Sequence, residues 1–162
     1  MKIKLLIIIA LVSFGLSVHA QTEAPVITEL HQLLQSAKSN FVNEIGKKVE
    51  EDTVTQNVYY EAKKPAVAAD AFVLHVKAGQ NMFILNYDAT GEKLNILIPI
   101  VEAYLDELNK MVKTGDYTGE DYKNENGKAV TDMHDKAGNL VLRYTSDSKS
   151  QTVYLYGFTN SK

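Results

Sequence analysis

The chain has 162 residues, a formal net charge of −3 and no cysteine. This length suits one domain with a buried core, and the lack of cysteine excludes disulfides, thiol redox chemistry and cysteine nucleophiles. The mild acidity, with Arg143 as the one arginine, argues against binding to nucleic acid or anionic lipid, whose phosphates favour basic, arginine-rich surfaces.

Residues Met1–Ala20 have the three zones of a secretory signal peptide. Lys2 and Lys4 come first, a mostly apolar run follows, and Val18-His19-Ala20 offers a cleavage site before Gln21. The run is shorter than the roughly 20 residues that a membrane-spanning helix needs. We therefore expect a soluble chain that starts at Gln21, without a lipid anchor or stable membrane insertion. Its lack of disulfides and of Asn-x-Ser/Thr glycosylation acceptors favours a periplasmic or secreted bacterial location.

Residues 25–49 predict the first helix. Apolar side chains recur every three or four positions, and polar or charged side chains occupy the opposite face. Pro25 suits the first helical turn, where its missing N–H would have no partner. The apolar positions are Ile27, Leu30, Leu34, Ala37, Phe41, Ile45 and Val49.

Three β-like segments come next. β-branched and aromatic residues, or strict alternation of side chains, predict strands over Thr53–Tyr60, Ala71–Lys77 and Asn81–Tyr87. Lys63-Lys64-Pro65 reads as a loop between the first two strands, and Gly79 as a turn between the second and third.

The stretch from Gly91 to Gly115 allows two interpretations. Its apolar residues fit one long amphipathic helix, but Pro99 would then lie inside the helix at a cost of about 3 kcal/mol. The alternative is a short buried strand, Lys93–Ile98, followed by a helix that begins at Pro99. We favour the second interpretation, because an Asp-x-x-Gly turn beginning at Asp88 is typical of a hairpin.

The C-terminal third predicts a meander of antiparallel strands. Short polar connections separate the strands, and Asn126-Gly127 is a strong hairpin signal because both residues tolerate positive φ. Asx-x-x-Gly sequences beginning at Asp88, Asp116, Asn124 and Asp135 predict type I turns. The four predicted strands are Glu120–Asn124, Lys128–His134, Asn139–Thr145 and Gln151–Phe158.

These elements predict an α+β fold in one domain, residues 21–162. We expect an antiparallel β-sheet of roughly six to eight strands, packed on one face by two amphipathic helices. Phe41–Glu50 also resembles Tyr104–Lys113 in sequence. This likeness has two open explanations: an internal duplication of a helix followed by strands, or two helices that need similar faces.

No motif for catalysis, cofactor binding or metal binding occurs. The chain has no Gly-x-Ser-x-Gly elbow, no glycine-rich phosphate loop and no pair of histidines at metal-ligand spacing. Asp132 and His134 share one face of a predicted strand and are the first candidates for a hydrolase, although a solvated polar face explains them as well. We therefore assign no catalytic residue, no cofactor and no metal.

Tyrosine is the side chain that points to binding. The chain has nine tyrosines and no tryptophan. A tyrosine combines a rigid ring with a hydrogen-bonding hydroxyl, which favours interfaces. The other explanation is that aromatic residues are simply common in β-strands. In the last strand Tyr154 and Tyr156 alternate with Val153 and Leu155, so this strand is either covered on both faces or shows an aromatic stripe to a partner. We assign Tyr144, Tyr154 and Tyr156 to a predicted aromatic binding surface.

The leading hypothesis is an exported, non-enzymatic binding or protein-interaction module of the bacterial envelope. Its partner is an unknown protein or small-molecule ligand. Two alternatives remain. One is a carrier of a small apolar ligand in a pocket between sheet and helices, which a cavity of roughly 300 Å³ or more would favour. The other is a hydrolase without a recognisable motif.

Overall fold

The computed structural model of the chain describes residues 19–76, 79–147 and 151–159. The predicted signal peptide lies outside these residues up to position 18, so its prediction is untested. Neither helix of the described part has the length and apolarity needed to cross a membrane. The elements in chain order are α1 (His19–Ala37), β1 (Ile45–Asp52), β2 (Asn57–Ala62), β3 (Asp70–His75), β4 (Asn81–Asp88), α2 (Lys93–Lys113), β5 (Tyr117–Lys123), β6 (Ala129–Asp135), β7 (Leu140–Asp147) and β8 (Thr152–Phe158).

All the strands form one antiparallel sheet in the order β1-β2-β3-β4-β8-β7-β6-β5. Each half of the chain is thus a helix followed by a four-stranded meander, and the two meanders join where β4 pairs with β8. If each strand of the first half is exchanged for its counterpart in the second (β1 for β5, and so on to β4 for β8), the same order is read in reverse. A twofold axis between β4 and β8 produces this relation. The helices follow the same relation, since α1 contacts β8 while α2 contacts β4. The predicted α+β class with an antiparallel sheet and two helices is confirmed.

The core lies between the helices and one face of the sheet. Side chains alternate between the two faces of each strand, and Gly157 of β8 points toward α1: a Cβ there would lie 3.1 Å from the ring of Phe41 and 3.2 Å from Leu33. Glycine at this position therefore lets the helix approach the sheet closely. The largest fully buried side chains are Tyr87, Phe41, Leu30, Leu85, Ile100, Leu142 and Leu155.

The prediction that the first helix continues to residue 49 is wrong. The helix ends at Ala37, and Ile45–Asp52 is the edge strand β1. Asn40 and Phe41 have positive φ values of 54° and 52°, which a helix cannot contain. The side chain of Asn40 accepts a hydrogen bond from the backbone N–H of Asn81, at 2.8 Å, and so fastens this turn to the sheet. Pairing with the sheet therefore overrides the helix that the local periodicity of apolar residues favoured.

The predicted strand Thr53–Tyr60 begins four residues too early. Residues 53–56 form the turn between β1 and β2, and β2 begins at Asn57. The side chain of Asp52 holds this turn, because its carboxylate accepts hydrogen bonds from the N–H groups of Val54 and Thr55. The other two strands of this half, β3 and β4, and the loop at residues 63–65 agree with the prediction within two residues.

Within residues 91–115 the predicted strand Lys93–Ile98 is wrong, whereas the predicted helix from Pro99 is confirmed as part of a longer one. Lys93–Lys113 is one helix with Pro99 inside it. Pro99 is the seventh residue of this helix, so the hydrogen bond it cannot donate would have reached Asn95 in the first turn. Burial of Leu97, Ile100 and the later apolar residues of the same face offsets the cost of the proline.

Two of the four predicted Asx-x-x-Gly turns join strands as expected. Gly127 and Gly138 have φ values of 73° and 82° and each donates its N–H to the carbonyl of the first turn residue. The turn at Asp88 also forms, but it leads into α2. The prediction at Asp116 is wrong: Gly119 lies inside β5.

The sequence likeness of Phe41–Glu50 to Tyr104–Lys113 does not correspond to equivalent structure. The first segment is a turn and an edge strand, and the second lies in α2. The repetition in this chain is one of element order, not of that sequence.

Candidate functional site

The sheet has one face that no helix of the described chain covers. Because α1 and α2 pack on the same side as Gly157, the alternate side chains of the strands point to the opposite side. We call this side the open face. Its half-buried apolar side chains are Tyr59, Phe72, Met82, Ile84, Tyr154, Tyr156 and Phe158.

Two of the three predicted binding tyrosines lie on the open face. The rings of Tyr154 and Tyr156 are stacked, with centroids 5.8 Å apart and planes 17° from parallel. Val153 and Leu155 are buried on the other side of the same strand. β8 is therefore a central strand, which the strand order places between β4 and β7, and no described element covers its aromatic stripe; that a partner binds this stripe stays a prediction.

Tyr144 does not belong to this surface, and its assignment to an exposed aromatic patch is wrong. Its exposure is 4%, and it pairs with Leu155 across β7 and β8, which places it on the helix side of the sheet. Burial raises the pKa of its phenol to about 12. The face of a residue on β7 depends on its register with β8, and the isolated sequence of β7 does not reveal that register.

Beside the tyrosine stack lies an ion pair whose acid is buried and whose base is partly exposed. Asp132 is 5% exposed, and its two carboxylate oxygens accept hydrogen bonds from Nε and a terminal nitrogen of Arg143, both at 2.7 Å. The hydroxyl of Tyr122 donates a third, at 3.0 Å. The hydrogen bond to Asp132 raises the pKa of Arg143. The guanidinium carbon lies 5.9 Å from the ring centroid of Phe158, so Arg143 also makes a cation–π contact.

The aromatic side chains and Arg143 line a concavity, which we call the hollow. Its volume is about 360 Å³. Five strands contribute to it, since Met82 comes from β4 and the other side chains from β5 to β8. Its main lining residues are Met82, Tyr122, Val130, Arg143, Tyr154, Tyr156 and Phe158.

The same contacts bear on the hydrolase alternative. Asp132 is engaged by Arg143 and Tyr122, and no hydrogen bond joins it to His134 within the part of the chain that the structure describes. The described residues also contain no group of three His, Asp or Glu side chains placed to share a metal ion. Asp132 therefore serves an ion pair, and the hydrolase alternative stays a prediction without support from this geometry.

A second concavity, which we call the cleft, lies between α1, residues 64–67 and β4. Its volume is about 480 Å³. Leu33, Phe83 and Leu85 form an apolar floor, and the carboxyl groups of Glu29 and Glu44 line its wall. Sequence reasoning missed both glutamates, because only the fold brings two residues fifteen positions apart to the same cleft.

Glu29 links the cleft to the core. Its side chain accepts hydrogen bonds from the hydroxyl of Tyr104, at 2.5 Å, and from the N–H of Val67, at 2.7 Å. Tyr104 in turn accepts one from the hydroxyl of Tyr87, at 3.1 Å. Burial raises the pKa of both phenols. The chain of hydrogen bonds ties α1, α2, β4 and the loop after β2 together.

The buried tyrosines have an expected pH signature. Burial raises the folded-state pKa values of Tyr87, Tyr104 and Tyr144 above the ordinary tyrosine pKa of 10.0. Their contribution to stability is therefore complete below pH 10 and declines as the pH rises toward 12. We expect phenolate absorbance to show a set of tyrosines that ionise only as circular dichroism reports unfolding. Ionisation of all nine tyrosines together near pH 10, with the native spectrum intact, would contradict this assignment.

Comparison with known proteins adds no further information on the two concavities. The chain matches no protein-family model, no curated protein and no solved structure.

Proposed function

We propose that the protein is an exported, non-enzymatic binding protein that holds a protein partner on its open face. One observation carries the proposal: stacked Tyr154 and Tyr156 border the hollow, on a sheet face that no described element covers. Interface centres are enriched in tyrosine and arginine, and Arg143 stands next to this pair.

The dimensions of the open face fit a protein partner. Eight strands about 4.8 Å apart, each about seven residues long, give a face of roughly 34 Å by 23 Å. This is close to the area of about 800 Å² that each partner contributes to a standard interface. The hollow alone would cover one side of a small molecule, whereas ligand pockets typically enclose most of their ligand.

Rigidity also supports the proposal. Asp132 holds the guanidinium of Arg143 and itself accepts a hydrogen bond from the hydroxyl of Tyr122, and the rings of Tyr154 and Tyr156 stack on one another. Side chains that are already ordered lose little conformational entropy when a partner binds. The open face is therefore arranged to bind without rearrangement.

Site-specific photo-crosslinking tests the proposal. A photoreactive phenylalanine derivative would replace Tyr154 in one variant and Ile96 in a control. Ile96 is 57% exposed and lies on α2. We expect a discrete crosslinked protein from position 154 in the native cells and none from position 96.

The crosslinked protein would then be purified and its affinity measured. We expect Tyr156→Ala to weaken binding by about thirtyfold, since truncation of a central interface aromatic costs about 2 kcal/mol. Val54→Ala is the matched control, because Val54 is 90% exposed in the β1–β2 turn. Equal affinity of the wild type and Tyr156→Ala would refute the proposed site.

The cleft favours a second candidate, a carrier of a small apolar ligand. Its volume of about 480 Å³ falls within the range of small-molecule sites. Native mass spectrometry of the protein purified from its own cells tests this function: a bound mass that Ala66→Trp abolishes would support it. An unoccupied wild-type protein that also fails to bind added alkyl ligands would exclude it.

Export is part of the proposal and is tested separately. Its support is the pattern of residues 1–20, with two lysines before an apolar run and small residues before Gln21. The intact mass of the protein recovered from the envelope or medium should correspond to a chain that begins at Gln21. A full-length mass in the cytoplasm would contradict export.

A further inference from the structure

The open face has an arrangement of charge that bears on its partner. Two cations of the described chain reach the hollow, and each is paired: Lys128 with Asp147 at 2.6 Å, and Arg143 with Asp132 at 2.7 Å. The exposed glutamates of the same face form no ion pair with any described residue. These glutamates are Glu50, Glu61 and Glu120. Among the described residues, the open face therefore carries an excess of negative charge around its aromatic centre.

Glu61 and Glu120 lie in the same cross-strand row of paired residues as Tyr156 and Arg143, which line the hollow. The strand pairing aligns seven residues in one row across the sheet, which we call the central row. The row consists of Glu61, Phe72, Ile84, Tyr156, Arg143, Asp132 and Glu120. Glu61 and Glu120 stand at its two ends, each three strands from Tyr156. At about 4.8 Å per strand, each glutamate lies about 14 Å from the centre.

We infer that the open face binds an extended, cationic segment of the partner protein, which lies along the central row. An apolar side chain of the segment occupies the hollow beside Tyr156, and lysine or arginine side chains about four residues away on either side meet Glu61 and Glu120. The spacing follows from the rise of about 3.3 Å per residue in an extended chain. This inference rests on the proposed function, because it specifies what the same face binds.

The aromatic side chains favour cations as well. Tyrosine and phenylalanine rings attract a cation that lies over their faces, and the contact of Arg143 with Phe158 shows this geometry within the protein. A second copy of this chain is a poorer occupant. Two open faces with the same excess of glutamates would repel one another on close contact.

Two synthetic peptides serve as probes. Both are capped, nine residues long, glycine- and serine-rich, and have phenylalanine at the centre; one has lysine at both ends and the other glutamate. Binding would be followed by NMR of the full chain with labelled tyrosine rings. We expect the lysine peptide to shift the signals of Tyr154 and Tyr156 and to bind about tenfold more tightly than the glutamate peptide at low salt.

A pair of charge-matched variants separates the site from net charge. Glu61→Gln/Glu120→Gln should reduce the affinity for the lysine peptide about fivefold. Glu92→Gln/Asp106→Asn changes the net charge equally, at exposed positions next to and within α2, and should leave the affinity unchanged. Sedimentation of the free protein measures self-association.

The inference fails if the glutamate peptide binds as tightly, if both double variants weaken binding equally, or if the tyrosine signals do not move. It also fails if the protein forms a dimer that buries Tyr154 and Tyr156. The proposed function has a separate readout: a crosslinked partner that needs Tyr156 but has no cationic segment would keep the function and overturn the inference.

Discussion

Replacement of Arg143 by methionine is expected to lower the free energy of unfolding by about 3 kcal/mol. The variant keeps most of the volume of the side chain but leaves the carboxylate of Asp132, whose side chain is 7% exposed, without its charged partner. The side chain of Arg143 is 36% exposed, so solvent screens part of the pair and the lower end of the range for buried pairs applies. Urea denaturation at neutral pH measures the loss.

A surface ion pair supplies the matched control. Lys136 lies 2.9 Å from Asp116, with side chains that are 71% and 58% exposed. Lys136→Met should cost less than about 1 kcal/mol, because water already solvates both groups. Adding Asp132→Asn to Arg143→Met should recover part of the stability. Equal losses from Arg143→Met and Lys136→Met would show that the pair on the open face is not buried as described.

The second large effect concerns Phe41. Phe41→Ala is expected to cost about 3 to 5 kcal/mol, because it removes a fully buried ring and leaves a cavity. The ring lies 5.8 Å from that of Phe83 and within contact distance of Gly157, so it joins the turn after α1 to two central strands. The measurement is again the free energy of unfolding in urea.

Its neighbour in the sequence provides the control. Val42 is 55% exposed, and Val42→Ala should change the stability by no more than about 0.5 kcal/mol. A loss below about 1 kcal/mol for Phe41→Ala would mean that the turn is not packed on the sheet.

The error in the first helix has a definite physical origin. Phe41, Ile45 and Val49 are four residues apart, and a spacing of four keeps side chains on one face of a helix and also on one face of a strand. The local pattern therefore cannot separate the two structures at these positions. Pairing with β2 is what makes residues 45–52 a strand.

The site was predictable only in part, for a related reason. Alternation along β8 predicts that Tyr154 and Tyr156 share a face, and the structure agrees. The face of Tyr144 depends on its partner strand, and Glu29 and Glu44 meet only through the path of the chain. Periodicity shows which side chains of one segment share a face, whereas strand register and contacts across the fold depend on two segments.

The strand order has a consequence for how the molecule folds. Each four-stranded meander pairs neighbours in the sequence, so it can form by short loop closures, while the β4–β8 pairing joins residues about seventy positions apart. Contacts of such separation form late, because the entropy of closing the long loop must be lost first. Since Met82 of β4 lines the hollow together with side chains of the second meander, the hollow is complete only after the two halves have joined. Under the proposed function, partly folded chains therefore lack the complete binding site.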